Sequence, residues 1–274
     1  MSEAVARRAQ GAKNRDYTRH PPLSLSRPPV LYSTASAKKE ISLSPLFEIL
    51  DHQDTPLGEL CLRRRELLSR PGVIITEVTL DQGFLMSSYH TESERRLAEF
   101  GLGLHPGDEL SVLVGGLGLG YTAEAALASD RVARVEVLEL LEPVIAWLER
   151  GWLPTGDALA SDKRLEVSQG DVYARLLGPP RQTVDVILID VDHAPDEPLD
   201  SASAAFYTRE GLAAVAEHLN PGGVLGVWST DPSPAFEATL AAVFECVEVE
   251  VVHWWNDLID VDKEDTLFAA RKAG

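Results

Sequence analysis

The chain has 274 residues, room for one large domain or for a large and a small one, and its 45% hydrophobic content supports a substantial core. No apolar run approaches the roughly 18 residues of a membrane span, and the opening residues hold no apolar segment of signal-peptide type, so no membrane partner and a cytoplasmic location are expected. The net charge of −18 is uneven: residues 1–40 hold eight Lys/Arg against three Asp/Glu, leaving 17 against 40 in a body that repels phosphate backbones and argues against nucleic acid.

Two cysteines, Cys61 and Cys246, are too few for a disulfide framework or a cysteine-rich zinc site, and no metal is expected. Residues 1–44, rich in Arg, Pro and Ser, read as a flexible basic N-terminal arm. Over residues 45–88 the texture changes to short apolar alternations broken by turn residues. Leu60 and Leu62 alternate with Cys61 and Arg63, residues 73–80 form a strong strand, Asp81-Gln82-Gly83 a turn, and residues 84–86 resume extended. A small antiparallel sheet domain is predicted there. Tyr89-His90-Thr91 leads into a helix over 92–100, with Thr91 and Glu94 as a capping box and Gly101 as the stop.

Residues 89–274 form the main domain. A short β-branched run at 111–114 breaks into Gly115-Gly116-Leu117-Gly118-Leu119-Gly120, and a helix over 121–128 follows at once. A strand turning over glycines into a helix sets bare backbone amides beside whatever lies across its end. Strands are then predicted at 132–140, 165–167, 184–189 and 224–228, with helices at 143–151, 206–219 and 236–244. The helix over 206–219 is stopped by Asn220-Pro221-Gly222-Gly223. Two last strands, 247–253 and 266–270, join without a helix and make an antiparallel edge. Alternating strands and helices specify a mostly parallel sheet covered on both faces. The fold class is therefore α/β, a Rossmann-like class I methyltransferase sandwich preceded by a small antiparallel β domain.

In such a sheet the ligand crevice lies beyond the carboxyl ends of the strands. Four polar features fall there: the glycines 115, 116, 118 and 120; Glu139 at the end of the next strand; Gly170-Asp171; and Asp190, with Asp192 and His193 behind it. A carboxylate at Glu139 can accept both hydrogen bonds of a ribose diol, and Asp171 can accept from an exocyclic amine such as that of adenine. Taken singly, each acid is equally well read as a solvated strand end or a helix cap. Together they follow the order a nucleoside site needs.

These segments carry a resemblance. Leu80-Asp81-Gln82-Gly83, residues 114–120, Val137-Leu138-Glu139-Leu140, Gly170-Asp171, residues 185–190, Phe206-Tyr207 and residues 219–225 look like the spermidine synthase (polyamine aminopropyltransferase) family, a branch of the class I methyltransferase fold. The resemblance implies that Glu139 holds the ribose hydroxyls, Asp171 the adenine amine, and that Asp190 orients or deprotonates an attacking amine. A homodimer is implied by the resemblance alone. The departures bear on the chemistry. Gly118 stands where the family has an aspartate that binds the ammonium of decarboxylated S-adenosylmethionine, the family's second active-site aspartate falls on His193, and Tyr89-His90 is shifted from the family's Tyr-His-Glu.

The expected reaction is attack of a nucleophile, from a small cationic amine, on a carbon attached to a sulfonium. Asp190, Asp192 or His193 would hold the acceptor and take its proton, and Tyr207, Trp228 and Asp231 are candidates for lining its pocket. Loss of the acid at Gly118 tilts the expectation to intact S-adenosylmethionine and methyl transfer. Aminopropyl transfer from the decarboxylated form, in polyamine biosynthesis, is the alternative, and a non-catalytic nucleoside-binding relative the third. The G-x-G-x-G spacing and the antiparallel edge fit a nicotinamide dehydrogenase poorly.

Overall fold

The computed structural model describes residues 46–191, 194–196 and 201–274; the basic arm and the expected catalytic residues Asp192 and His193 lie outside them. The described chain opens with β1 (Phe47–Thr55), β2 (Gly58–Glu66), β3 (Ile74–Leu80) and β4 (Gly83–Ser87), an antiparallel sheet in that order. Leu60 and Leu62 of β2 and Val78 of β3 turn inward and are fully buried, as the alternation requires. Helix α1 (Glu92–Leu104) follows, then β5 (Leu110–Gly115), α2 (Tyr121–Leu127), β6 (Val132–Glu139), α3 (Glu142–Glu149), α4 (Gly156–Ser161), β7 (Leu165–Gln169), α5 (Val172–Leu177) and β8 (Val184–Ile189). The chain closes with α6 (Ser201–Phe206), α7 (Arg209–Glu217), β9 (Leu219–Ser229), α8 (Pro234–Ala241), β10 (Cys246–Asn256) and β11 (Val261–Arg271). The second sheet has the order β10-β11-β9-β8-β5-β6-β7, parallel from β9 to β7, with β11 and β10 antiparallel.

Strict alternation on the central strands feeds two apolar layers. Val112, Val114, Val186 and Leu188 face one cluster with Leu97, Ala126 and Trp147, while Leu113, Ile187 and Ile189 face another with Phe206, Leu212, Phe236 and Phe268. Leu60, Leu62 and Val78 of the small sheet belong to the first cluster, so that sheet shares the core of the larger one. Two hydrogen bonds reinforce the junction: Trp147 Nε1 donates to Asp51 Oδ2 (2.7 Å), and Arg64 Nη2 to the carbonyl of Trp152 (3.0 Å). Among the described residues no helix is long and apolar enough to cross a membrane.

Three local expectations are corrected. Gly101 does not stop α1, which runs on to Leu104; it lies on the buried face, where a Cβ would come within 2.7 Å of Leu188 Cδ2. The capping box does not form either, because Thr91 makes no side-chain cap bond and its N–H is taken by Glu92 Oε2 at 2.9 Å. The helix expected over 206–219 is two. Thr208 turns extended and caps α7 by accepting from the Gly211 N–H (3.0 Å), and the Asn220–Gly223 stretch is absorbed into the irregular start of β9.

Candidate functional site

The glycine loop is held from both sides. Gly116 N–H donates to the carbonyl of Leu138 and Asp190 N–H to that of Gly115, each at 2.9 Å, so the ends of β5, β6 and β8 are stitched together. Gly116 has φ +96°, and a Cβ there would stand 2.2 Å from the carbonyl oxygen of Asp190. Only glycine lets the loop pass this close to the acid. Gly120, in the left-handed region, begins α2.

Glu139 is buried at the end of β6. Its Oε2 accepts the Leu117 N–H and its Oε1 the Leu141 N–H, both at 2.8 Å. Burial pushes its carboxyl up from the ordinary range, and the surrounding backbone N–H groups work against that rise. Asp171 is the N-cap of α5: its Oδ1 accepts from the N–H groups of Tyr173 (2.8 Å) and Ala174 (3.1 Å). The plain capping role considered for it is thus present, and it falls on a single oxygen. Gly170 precedes it, bonded to the carbonyl of Glu139 at 2.9 Å. Asp190, just past β8, accepts from Thr122 Oγ1 at 2.5 Å.

A cavity of about 410 Å³ opens on the other flank of the loop. Among the residues expected at a site, Gly118, Gly120, Asp190 and Trp228 line it. Gly115, Gly116, Glu139, Gly170 and Asp171 sit beside it along the strand ends instead. Tyr207 lies in an aromatic cluster with Tyr173, Phe206 and Phe236, its hydroxyl 3.4 Å from that of Tyr173, and burial pushes it up to about 12. Asp231 is exposed in the turn after β9, accepting from Thr230 Oγ1 (3.0 Å).

Several cavity residues were not singled out from sequence. Glu94 projects from the first turn of α1, Asp265 from β11, and Met86 from β4. His90 stacks against Trp254 with ring centres 4.3 Å apart, and Trp254 Nε1 donates to Asp265 Oδ2 (2.9 Å). Trp254 therefore belongs to the cavity wall. Among the described residues His90 Nε2 and Trp228 Nε1 find no hydrogen-bond partner although both are buried, a cost that a polar ligand would relieve. Space at Gly118 is narrower than the missing side chain suggests, because Met86 Sδ would stand 3.1 Å from a Cβ there.

Charge in the cavity is acidic. Among the described residues, Glu94, Asp190, Asp265 and Glu92 line it, whereas its one arginine, Arg65, is bound to Glu77 at 2.6 Å. Burial and the neighbouring Asp190 push Glu94 up to about 8, and burial also raises Asp265. Among the described residues, no group of three His, Cys, Asp or Glu could hold a metal ion.

No family model matches the chain. Curated relatives do: Polyamine aminopropyltransferase 2 of Streptomyces coelicolor is 35% identical over 130 residues, covering 45% of this chain and 23% of that protein. The polyamine aminopropyltransferase of Oceanobacillus iheyensis is 30% identical over 125 residues, covering 44% and 23%. The chain thus spans about a quarter of the length of these relatives. Among solved structures, spermidine synthase from Thermotoga maritima superposes with TM-score 0.64 at 18% identity, covering 82% of this chain and 72% of that one. The chain has a spermidine synthase-like fold. A spermidine synthase in complex with the transition-state analogue AdoDATO gives the same figures. The small antiparallel sheet before a mostly parallel sheet with an antiparallel edge is common to both readings, from sequence and from structure.

Proposed function

We propose that the chain is a sulfonium-nucleoside-dependent transferase that moves an aminopropyl group from decarboxylated S-adenosylmethionine to a small cationic amine. One observation carries this choice: the cavity beside the glycine loop presents the carboxyls of Glu92, Glu94, Asp190 and Asp265, and its arginine is already paired with Glu77. Intact S-adenosylmethionine would bring a carboxylate into that field, whereas its decarboxylated form and an amine acceptor bring cations. Together with the names of the curated relatives, this reverses the tilt to methyl transfer that Gly118 suggested.

The residues suit a nucleoside. Glu139, held by backbone N–H groups at the end of β6, is assigned to a ribose diol, and Asp171 retains Oδ2 for an exocyclic amine. The donor's sulfur leaves with the electron pair of the broken C–S bond as nitrogen forms the new C–N bond. The protein's task is alignment and proton removal. Asp190, fixed by Thr122, is assigned to hold the amine and receive its proton, and Asp192 and His193 to complete that end of the site. Trp228 lends an unpartnered N–H and an apolar face to the acceptor.

Calorimetric titration with both nucleosides tests the reading. The decarboxylated form is expected to bind at least tenfold more tightly. Preference for the intact form would restore methyl transfer.

A further inference from the structure

The proton acceptor Asp190 does not stand alone in the cavity. Glu94 reaches into it from α1 and is bound at Oε2 by Ser93 Oγ (3.2 Å); Ser93 in turn also bonds Asp265 of β11. The main-chain carbonyl of Glu94 and Oδ2 of Asp190 share one hydroxyl, Thr122 Oγ1, at 3.1 and 2.5 Å. Ser93 therefore ties the carboxyls of Glu94 and Asp265, and Thr122 ties the carboxyl of Asp190 to the Glu94 backbone, so the three acids form one row across the cavity.

Among the described residues no cation pairs with Glu94. Arg95, next along α1, turns away to Glu124 (2.7 Å) and lies over the Tyr121 ring, and Arg65 is spent on Glu77 of β3. Lys263 on β11 is exposed and acts on Asp265. The other titratable groups at the cavity wall are Glu92 on α1, Tyr89 and His90 before it, and Tyr121 on α2. None of them is a permanent cation.

We infer that Glu94 is an ammonium-holding residue of this cavity and surrenders a proton to solvent when a cationic amine binds. The inference rests on the reading of the cavity as an amine site. Without ligand, burial and the facing charge of Asp190 keep the Glu94 carboxyl protonated up to about pH 8, so the row stores one proton at neutral pH. An arriving ammonium supplies the positive charge that the proton had supplied. The carboxyl then ionises, and about one proton leaves per ligand at pH 7 by linkage. Affinity should climb by up to about tenfold per pH unit from pH 6 towards 8 and level off above it.

The test titrates the full chain calorimetrically with 1,4-diaminobutane alone, in two buffers of different ionisation heat, at pH 6, 7 and 8.5. Wild-type protein is expected to release a proton at pH 7 and little at pH 8.5. Glu94→Gln imitates the protonated carboxyl. It should match wild type at pH 6, bind at least tenfold more weakly at pH 8.5, and release no proton. Asp265→Asn should keep the release. Absence of release from wild-type protein at pH 7, coincident pH profiles for wild type and Glu94→Gln, or failure of the diamine to bind at any of the three pH values would each overturn the inference. The wild-type arm needs no variant to fold. Neither nucleoside nor turnover enters, so a failure of the proposed transfer reaction would show separately, as binding without product.

Discussion

Gly116 shows how tightly one position can be constrained. Its positive φ and the 2.2 Å approach of the Asp190 carbonyl to a built Cβ leave no room for a side chain. Gly116→Ala should cost about 3 kcal/mol, measured by denaturant unfolding, and should abolish nucleoside binding even where the protein still folds. Asp190→Asn should abolish turnover and leave nucleoside affinity within about threefold, because the amide can still accept from Thr122. Unchanged turnover would remove Asp190 from the chemistry. The positions of Glu139 and Asp190 at strand ends were legible in sequence because each closes an apolar run, and that of Asp171 because it follows a glycine after a short strand. Glu94 was not. Its spacing from Thr91 imitates a capping box, and only the packing of α1 against the large sheet turns it into the cavity. Asp265 was hidden similarly, as one polar residue just ahead of the last apolar run, in the part of β11 that extends past β9.

Among the elements, α1 and the β10–β11 hairpin decide the shape of the site. The sequence places both but stops each short, α1 at Gly101 and the hairpin at residues 253 and 266. A glycine is an ambiguous signal, since it ends helices and also admits a close neighbour; here Leu188 is that neighbour. Gly101→Ala should destabilise by about 2 kcal/mol through overpacking, where a helix-ending glycine would show a smaller effect. The hairpin's register continues to Asn256 and Val261, beyond its last pairing with β9 at Thr266 and Ser229. That overhang brings Trp254 and Asp265 to the cavity. Trp254→Ala removes the stack on His90 and the hydrogen bond to Asp265, so it should weaken amine binding about tenfold while the unfolding transition stays cooperative. Its polar, half-exposed residues offered no apolar run to follow, and hence sequence ended it early.

For the molecule as a whole, the apolar pattern carried the fold because nearly every central strand alternates between two helical layers. The boundary expected near residue 88 deserves a physical test, since Leu60, Leu62 and Val78 bury against the main sheet's core. Each such side chain contributes roughly 2 kcal/mol. A fragment of residues 89–274 should therefore lose cooperative unfolding or solubility, and a stable fragment would show the small sheet to be a separate domain. Acidity in the cavity also has a cost. Because Glu94 is held well above its unfolded range, its contribution to stability is full below about pH 4.5 and is lost as pH rises towards 8. Glu94→Gln should raise the unfolding midpoint at pH 8.5 by several degrees, a gain that vanishes below about pH 4.

The central claim, transfer of an aminopropyl group to an amine, is tested most directly by the mass of the product. Full-length protein incubated with isotopically labelled decarboxylated S-adenosylmethionine and 1,4-diaminobutane should yield the diamine heavier by one aminopropyl group. A product heavier by one methyl group, formed from intact S-adenosylmethionine with none from the decarboxylated donor, would contradict the account.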